Sequence, residues 1–440
     1  MNMRRTVYII ILMLCVCFYS SSASYAQAEN ETVTLTLTYG QEKYIYKDCY
    51  IVPDNFTTAQ QIFERGINLP YEQKMRIVEN RVRSGVDYKA ALVYSFPLMS
   101  QFFDDVISKI NLSPVDSRII FSPDSRQMFS YTEEKSGVKV NEGILYRNVF
   151  ISLRQMPTVT IEVPTMEIKP STTAEDNKRN TVLRSRYSTD FSSSGENRRH
   201  NIITAMKRID GKTLLSGETF SFNETVGRRT KNNGFREAKI IVNGKYVDGY
   251  GGGVCQASTT VYNAALLGGL TIEEVHRHTL KSSYELPSFD AMVNSATSDL
   301  KIRNDFPNAL FFHTFTEGNN VVAEIYGQKP DYKIERESVV TFTGKTPPYE
   351  EIIDKDYTYF TKNDPPGSRK AVSYSHPEIH SEGYLNYLTF SGELIKRTRI
   401  RKDVYSKVSG VIAIAPDNPE YFAGWRVCIK FPDDEKVIFD

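Results

Sequence analysis

The chain has 440 residues with 54 Lys+Arg against 53 Asp+Glu, a length for two or three domains and a charge balance that argues against a dedicated nucleic-acid binder. Hydrophobic content of 40% and charged content of 24% are ordinary for globular protein. The 27 tyrosines and 24 phenylalanines, with a single tryptophan, suit β-rich domains.

The first segment reads as targeting sequence. Arg4 and Arg5 precede an apolar block, Val7 to Phe18, too short to span a bilayer comfortably, and small residues up to Ala26 or Ala28 follow. Residues 1–28 are therefore expected to be a signal peptide, or an uncleaved signal-anchor that would tether the chain to a membrane. Leu14 and Val16, just before Cys15 and Cys17, are not small, which argues against a lipoprotein site. The remainder is expected to work outside the cytoplasm. Beyond the leader only Cys49, Cys255 and Cys428 remain. An odd, dispersed set is not a disulfide framework. A single Cys49–Cys428 bridge stays open, and no CxxC supports a zinc ribbon or redox motif.

Residues 29–173 read as mixed α and β. TVTLTLTYG alternates as a strand, the segments TTAQQIFERGINLPYEQKMRIVENRVRSG and DYKAALVYSFPLMSQFFDDVISKINL are helical, and Pro97 breaks the latter. SRIIFSPDSRQMFSY and GILYRNVFISLRQMPTVTIEVPTMEIKP are expected to be strands. KPSTTAEDNKRN, 169–180, reads as a linker. After 181–326, the segment 330–440 is expected to be a small β-rich module of short strands and turns.

The chemistry concentrates in 181–326, around GYGGGVCQASTTVYNAALLGGL. The glycines up to Gly253 offer a backbone path that side chains would block. Ala257, Val261, Ala264 and Gly268 then recur at helical spacing as a small-residue face. Cys255 is thus expected in the first turn of a helix, where unpaired N–H groups and the helix dipole favour negative charge. Such a thiol is acidified, and the same N–H groups can hold an oxyanion. A buried, inert cysteine remains the competing reading. Two histidines follow in EEVHRHTLKSSYE. On a strand, His276 and His278 would face the same side, and either could meet the thiol. No third zinc ligand is evident. Asp290, in SFDAMV, could orient an imidazole.

RRHNIITAMKRIDGKTLLSGETFSFNETVGRRT, GFREAKIIVNGKYVDGYGGGVCQASTTVYNAALLGGLTIEEVHRHT, FDAMV and SDLKIRND together resemble the VanW domain family. The segment 29–173 resembles the peptidoglycan-binding module that often precedes it, and 330–440 resembles a G5 domain. Some VanW-domain proteins are understood as L,D-transpeptidases that use the cysteine of GGGxCQ to form 3-3 peptidoglycan cross-links. The resemblance implies Cys255 as nucleophile, with His278 and Asp290 matching the recurrent histidine and aspartate. Where the family often has glycine two residues before that aspartate, this chain has Ser288. Arg228 and Arg229 could hold a substrate carboxylate, with Gly253, Gln256 and Tyr262 as further substrate-site residues and Asn223 beside them. No cofactor or metal is implied, and the expected partners are peptidoglycan stem peptides. The alternatives are a cysteine carboxypeptidase or amidase on the same polymer, and a non-catalytic wall-binding protein. The expected fold is α+β, a mostly antiparallel sheet carrying the cysteine helix.

Overall fold

The structure, a computed structural model, describes residues 32–48, 54–242, 245–418, 421, 428–430 and 436–438. The leader expected at 1–28 and Cys49, half of the candidate bridge, lie outside the described residues. Helices and mostly antiparallel sheets make an α+β fold. Two compact units form: one of Met1–Ser117 with Glu133–Thr173, the other of Arg118–Thr132 with Ala174–Asp440. Among the described residues, no helix is long and apolar enough to cross a membrane.

In the first unit, Thr34–Tyr39 pairs antiparallel with Glu42–Lys47 and parallel with Thr158–Glu162. The alternation in TVTLTLTYG does what period 2 dictates: Leu35 and Leu37 are fully buried and Thr34, Thr36 and Thr38 are not. Tyr88–Ser95 and Leu98–Ile110 are separate helices with Pro97 at the break, because proline has no N–H to continue the ladder. One expectation fails here. GILYRNVFISL is not a strand but part of the helix Glu142–Leu153. Its buried residues Leu145, Tyr146, Val149, Phe150 and Leu153 fall at helical spacing. The Asn141 side chain starts it by accepting from the Ile144 N–H at 3.2 Å.

The second unit is built on a four-stranded antiparallel sheet. Its order is Val182–Asp190, Asn320–Gly327, Leu310–Glu317, Thr213–Leu214. The hairpin of Ile119–Phe121 and Phe129–Tyr131 belongs to this unit, with Phe121 and Phe129 packed edge-on against Phe311. Helices Glu196–Ile209 and Val254–Leu267 share the sheet's core, with Ile202, Met206, Val261 and Tyr262 among its buried residues. The strands after Lys329 form two further three-stranded sheets, with Cys428–Lys430 and Lys436–Ile438 as a separate antiparallel pair. One is Lys333–Thr343, Ile379–Leu388 and Leu394–Tyr405; the other is Glu350–Ile353, Val411–Ile414 and Arg369–Ser373. They belong to the same compact unit.

The helix Val254–Leu267 is buried along nearly its whole length, not on the one small-residue face the spacing predicts. Its polar residues are buried because each has a partner. Ser258 Oγ donates to Ala291 O (2.6 Å), Thr259 Oγ1 accepts from Ala291 N–H (3.0 Å), and Asn263 Nδ2 donates to Phe289 O (2.8 Å). On another side Thr260 and Thr189 share a hydroxyl bond of 2.8 Å. The polar stripe of the helix therefore holds, through backbone atoms, the segment that carries Asp290. A buried polar group without such a partner would cost about 1–3 kcal/mol.

Candidate active site

The glycine run lets two arginines approach the helix start. Gly251 has φ +87°, and a Cβ there would stand 2.7 Å from Arg229 Cβ and Cγ. Gly253, the N-cap, has φ +102°, and its Cβ would meet Arg198 Cγ at 2.7 Å and Arg198 O at 3.0 Å. Buried Asn201 fastens the run by donating to Gly252 O at 3.0 Å. Cys255 follows as the second helical residue.

The sulfur lies against Val293, accepting from its N–H at 3.5 Å and reaching its carbonyl at 3.3 Å. It also interacts electrostatically with the His278 imidazole and the Arg229 guanidinium. His278 Nδ1 is 2.6 Å from Asp290 Oδ2, and the His278 backbone N–H donates to the same oxygen at 2.7 Å. With Nδ1 on Asp290, the nitrogen left for the thiol is Nε2. The two side chains are only 11% and 1% exposed, so solvent screens the pair little. Burial pushes the Cys255 thiol up, but the His278 hydrogen bond and charge, the Val293 backbone and Arg229 outweigh it, and the net displacement is downward. Burial pushes the His278 imidazole down, but Asp290 and the Cys255 sulfur outweigh it and carry it up to about 10. Asp290 stays ionised: burial opposes this, while His278, Arg401 and Tyr405 lower its pKa. The constellation favours a thiolate beside an imidazolium, the state a thiol nucleophile needs.

His276 and His278 do not lie on a strand. The strand stops at Glu274, and only a single bridge, His276 to Met292, continues it. His276 turns to Glu274, with Nε2 at 2.9 Å from Oε1, and is 38% exposed. Of the two imidazoles, His278 is the one at the sulfur. Asp290 comes from an extended segment just after a turn whose Ser288 has φ +66°. That backbone favours glycine, which gives the Gly-to-Ser difference a physical meaning.

Cys255 and His278 line a cavity of ≈ 800 Å³ with Arg198, Arg229, Lys239 and Lys281 on its walls. Gly253 and Gln256 also border it, but the Gln256 side chain is a brace. It is 1% exposed, donates to Asp190 O (2.7 Å) and accepts from Arg198 Nη1 (2.8 Å). Arg229 reaches the cavity and is held by Asn223 Oδ1 at 2.6 Å. Asn223 is itself bound to Asn294 O and Ser298 O, so it supports Arg229. Arg228 is exposed and Tyr262 is 1% exposed in the core; neither borders the cavity. Sequence reasoning missed Arg198, Tyr284 and His376. Tyr284 packs edge-on to His278 at 6.4 Å between ring centres. His376, from the strands after Lys329, stands at the cavity wall. Among the described residues, no group of three or more His, Cys, Asp or Glu could hold a metal ion.

The fold and site define an α+β protein with a buried Cys–His–Asp constellation at the start of a core helix. Residues 197–326 match the family described as "VanW like protein", and the chain carries a VanW-like domain there. Over 167 residues it is 37% identical to "Uncharacterized protein YoaR" of Bacillus subtilis (strain 168), covering 38% of this chain and 55% of that protein. Over 152 residues it is 29% identical to "Vancomycin B-type resistance protein VanW" of Enterococcus faecalis (strain ATCC 700802 / V583), covering 33% and 55%. The chain thus spans about half the length of these curated relatives. Two solved structures are similar to short stretches, at 8% and 11% identity. HP0197-G5 covers 19% of this chain and 99% of its own (TM-score 0.10); the IgA1 protease G5 domain covers 20% and 92% (TM-score 0.13).

Proposed function

We propose that the protein is an extracytoplasmic, cell-wall-associated acyltransferase: a cysteine L,D-transpeptidase that forms 3-3 cross-links through a thioester on Cys255. The observation that carries this reading is the Cys255–His278–Asp290 constellation at the wall of a cation-lined cavity. The expected leader and the VanW-like domain support the location. Peptidoglycan cross-linking outside the membrane proceeds without ATP, and a thioester conserves the energy of the amide it replaces.

In the first half-reaction the Cys255 thiolate attacks the carbonyl carbon at the L-centre of a tetrapeptide stem. The oxyanion is held by the Cys255 N–H at the helix start, since the Gln256 N–H already donates to Gly253 O at 2.8 Å. The C–N bond breaks, His278 gives its proton to the departing D-Ala amine, and the thioester remains. In the second half-reaction an amine of a neighbouring stem attacks the thioester and loses its proton to His278. The thiolate leaves, which restores the starting pair. Arg229, at the cavity wall, is the residue assigned to a substrate carboxylate in this reading. Asp290 touches no substrate; it holds the imidazole in the tautomer that presents Nε2.

The test is incubation of the protein with disaccharide-tetrapeptide, followed by mass spectrometry. Cross-linked dimer with release of D-Ala, absent with Cys255→Ala, is expected. Tripeptide without dimer would make water the acceptor and the enzyme a carboxypeptidase. No turnover by the folded protein would leave a wall-binding role.

A further inference from the structure

The site does not end with the VanW-like segment. Tyr405, the last residue of strand Leu394–Tyr405, is 1% exposed. Its hydroxyl donates to Asp290 Oδ1 at 2.6 Å and accepts from the Ser288 N–H at 2.7 Å. Asp290 Oδ2 takes both of its hydrogen bonds from His278. The two carboxylate oxygens are thus divided, one for the candidate base and one for a residue 115 positions further along the chain. On the same strand, Arg401 donates from Nη1 to Asp290 O, and its Nη2 lies 3.6 Å from Asp290 Oδ1 and 2.9 Å from Asp403 Oδ2.

Three neighbouring contacts tie the same strands to the same loops. The Ser406 N–H donates to Thr279 O at 2.9 Å, one residue beyond His278. Ser288 Oγ and Ser381 Oγ share a bond of 2.8 Å. A Cβ on Gly383 would stand 3.0 Å from Ser288 Cβ, so the strand Ile379–Leu388 comes as near as a glycine allows. The left-handed Ser288 is therefore anchored at its N–H and at its hydroxyl by strands that follow Lys329. The Ser288 N–H reaches only a lone pair of the Tyr405 oxygen, so the buried O–H needs an acceptor of its own. Here it occupies the free oxygen of the carboxylate that orients the imidazole.

We propose that Tyr405 and Arg401 are positioning residues of the Cys255 site, so that the strands after Lys329 complete the catalytic apparatus and are not a detachable wall-binding appendage. This rests on the reading of Cys255 as a nucleophile. The charged and titratable groups facing Asp290 are His278, Arg401, Asp403, Tyr405, Tyr262 and Tyr284; those facing Cys255 are His278, Arg229 and Tyr284. A buried carboxylate that loses a donor takes up a proton more readily and is less firmly held on its partner. Its imidazolium, and through it the thiolate, then weakens.

The experiment measures the rate of Cys255 alkylation by iodoacetamide against pH, followed on the Cys255 peptide by mass spectrometry. Tyr405→Phe keeps the ring that fills the buried position and removes only the hydroxyl. Its alkylation midpoint is expected to move up by about one pH unit, and kcat for dimer formation is expected to fall with little change in KM. Arg401→Lys, should Tyr405→Phe fail to fold, is expected to shift the midpoint the same way. Arg397→Ala serves as the control, because Arg397 lies on the same strand but pairs with exposed Glu337; its midpoint should match the unmodified protein. Folded Tyr405→Phe and Arg401→Lys with an unchanged or lowered midpoint would overturn the proposal. A raised midpoint in a protein that makes no cross-linked product supports the positioning role and refutes the cross-linking reading instead.

Discussion

Replacing Asp290 with Asn tests the electrostatics of the site with little change in shape. The carboxylate accepts from the His278 N–H, His278 Nδ1 and the Tyr405 hydroxyl. An amide brings an NH2 that can only donate, so one of those donors faces another donor. Breaking a buried pair of this kind costs about 3–5 kcal/mol; at about 1.4 kcal/mol per tenfold change in a proton-binding constant, that corresponds to a pKa change of about 2–3.5. The near-complete burial of both side chains argues against a large discount for screening. His278, now lifted to about 10, would fall back toward the ordinary imidazole range. The thiol would lose the partner that lowers it and rise instead. The sign follows directly. A thiol reacts when deprotonated, so a lowered pKa extends reactivity to lower pH and Asp290→Asn withdraws it. Cys255 alkylation in mildly acidic buffer is expected to slow by at least about tenfold, which corresponds to a thiol pKa higher by about one. A folded Asp290→Asn protein with the original pH profile would refute the reasoning.

Three further outcomes follow from the geometry. Gly253→Ala must carry a Cβ at φ +102° and 2.7 Å from Arg198 Cγ, so backbone strain and overpacking together should lower stability by about 2–4 kcal/mol; an unchanged thermal melt would contradict this. His276→Ala should leave the alkylation profile intact, because that ring binds Glu274 and not the sulfur; a change equal to that of His278→Ala would mean that the wrong imidazole has been assigned. Ser288→Ala loses the Ser381 hydrogen bond while keeping the positive φ, at about 1 kcal/mol. Ser288→Gly loses the same bond but relieves the backbone, so it should stay within about 0.5 kcal/mol of the original, and melts that rank the two the other way would disprove the strain argument.

What was legible in the sequence was local. Four glycines before Cys255 marked a helix start, and TVTLTLTYG announced its buried leucines by alternation alone. GILYRNVFISL was misassigned because apolar residues at adjacent and near-adjacent positions suit either period, and the Asn141 cap that decides the matter is a weak signal beside them. The helix Val254–Leu267 showed a small-residue face but not its full burial. Serine, threonine and asparagine look solvent-seeking until their backbone partners at 289–291 are in place. His278 could be separated from His276 only by the chain leaving the strand after Glu274. Gln256 and Tyr262, near the cysteine in sequence, are structural; Tyr405 and Arg401, more than 140 residues away from it in sequence, reach Asp290. No periodicity reports a contact at that separation.

The most direct test is whether a stem peptide becomes attached to Cys255. Intact-mass analysis of the protein mixed with a disaccharide-tetrapeptide and quenched in acid, followed by peptide mapping, reads this without assuming the acceptor. The expected result is an adduct equal to the donor minus D-Ala, located on the peptide containing Cys255, labile to hydroxylamine and absent in Cys255→Ala. Cross-linked product formed at an undiminished rate by Cys255→Ala, or an adduct on a different residue, would contradict the assignment of Cys255 as the nucleophile.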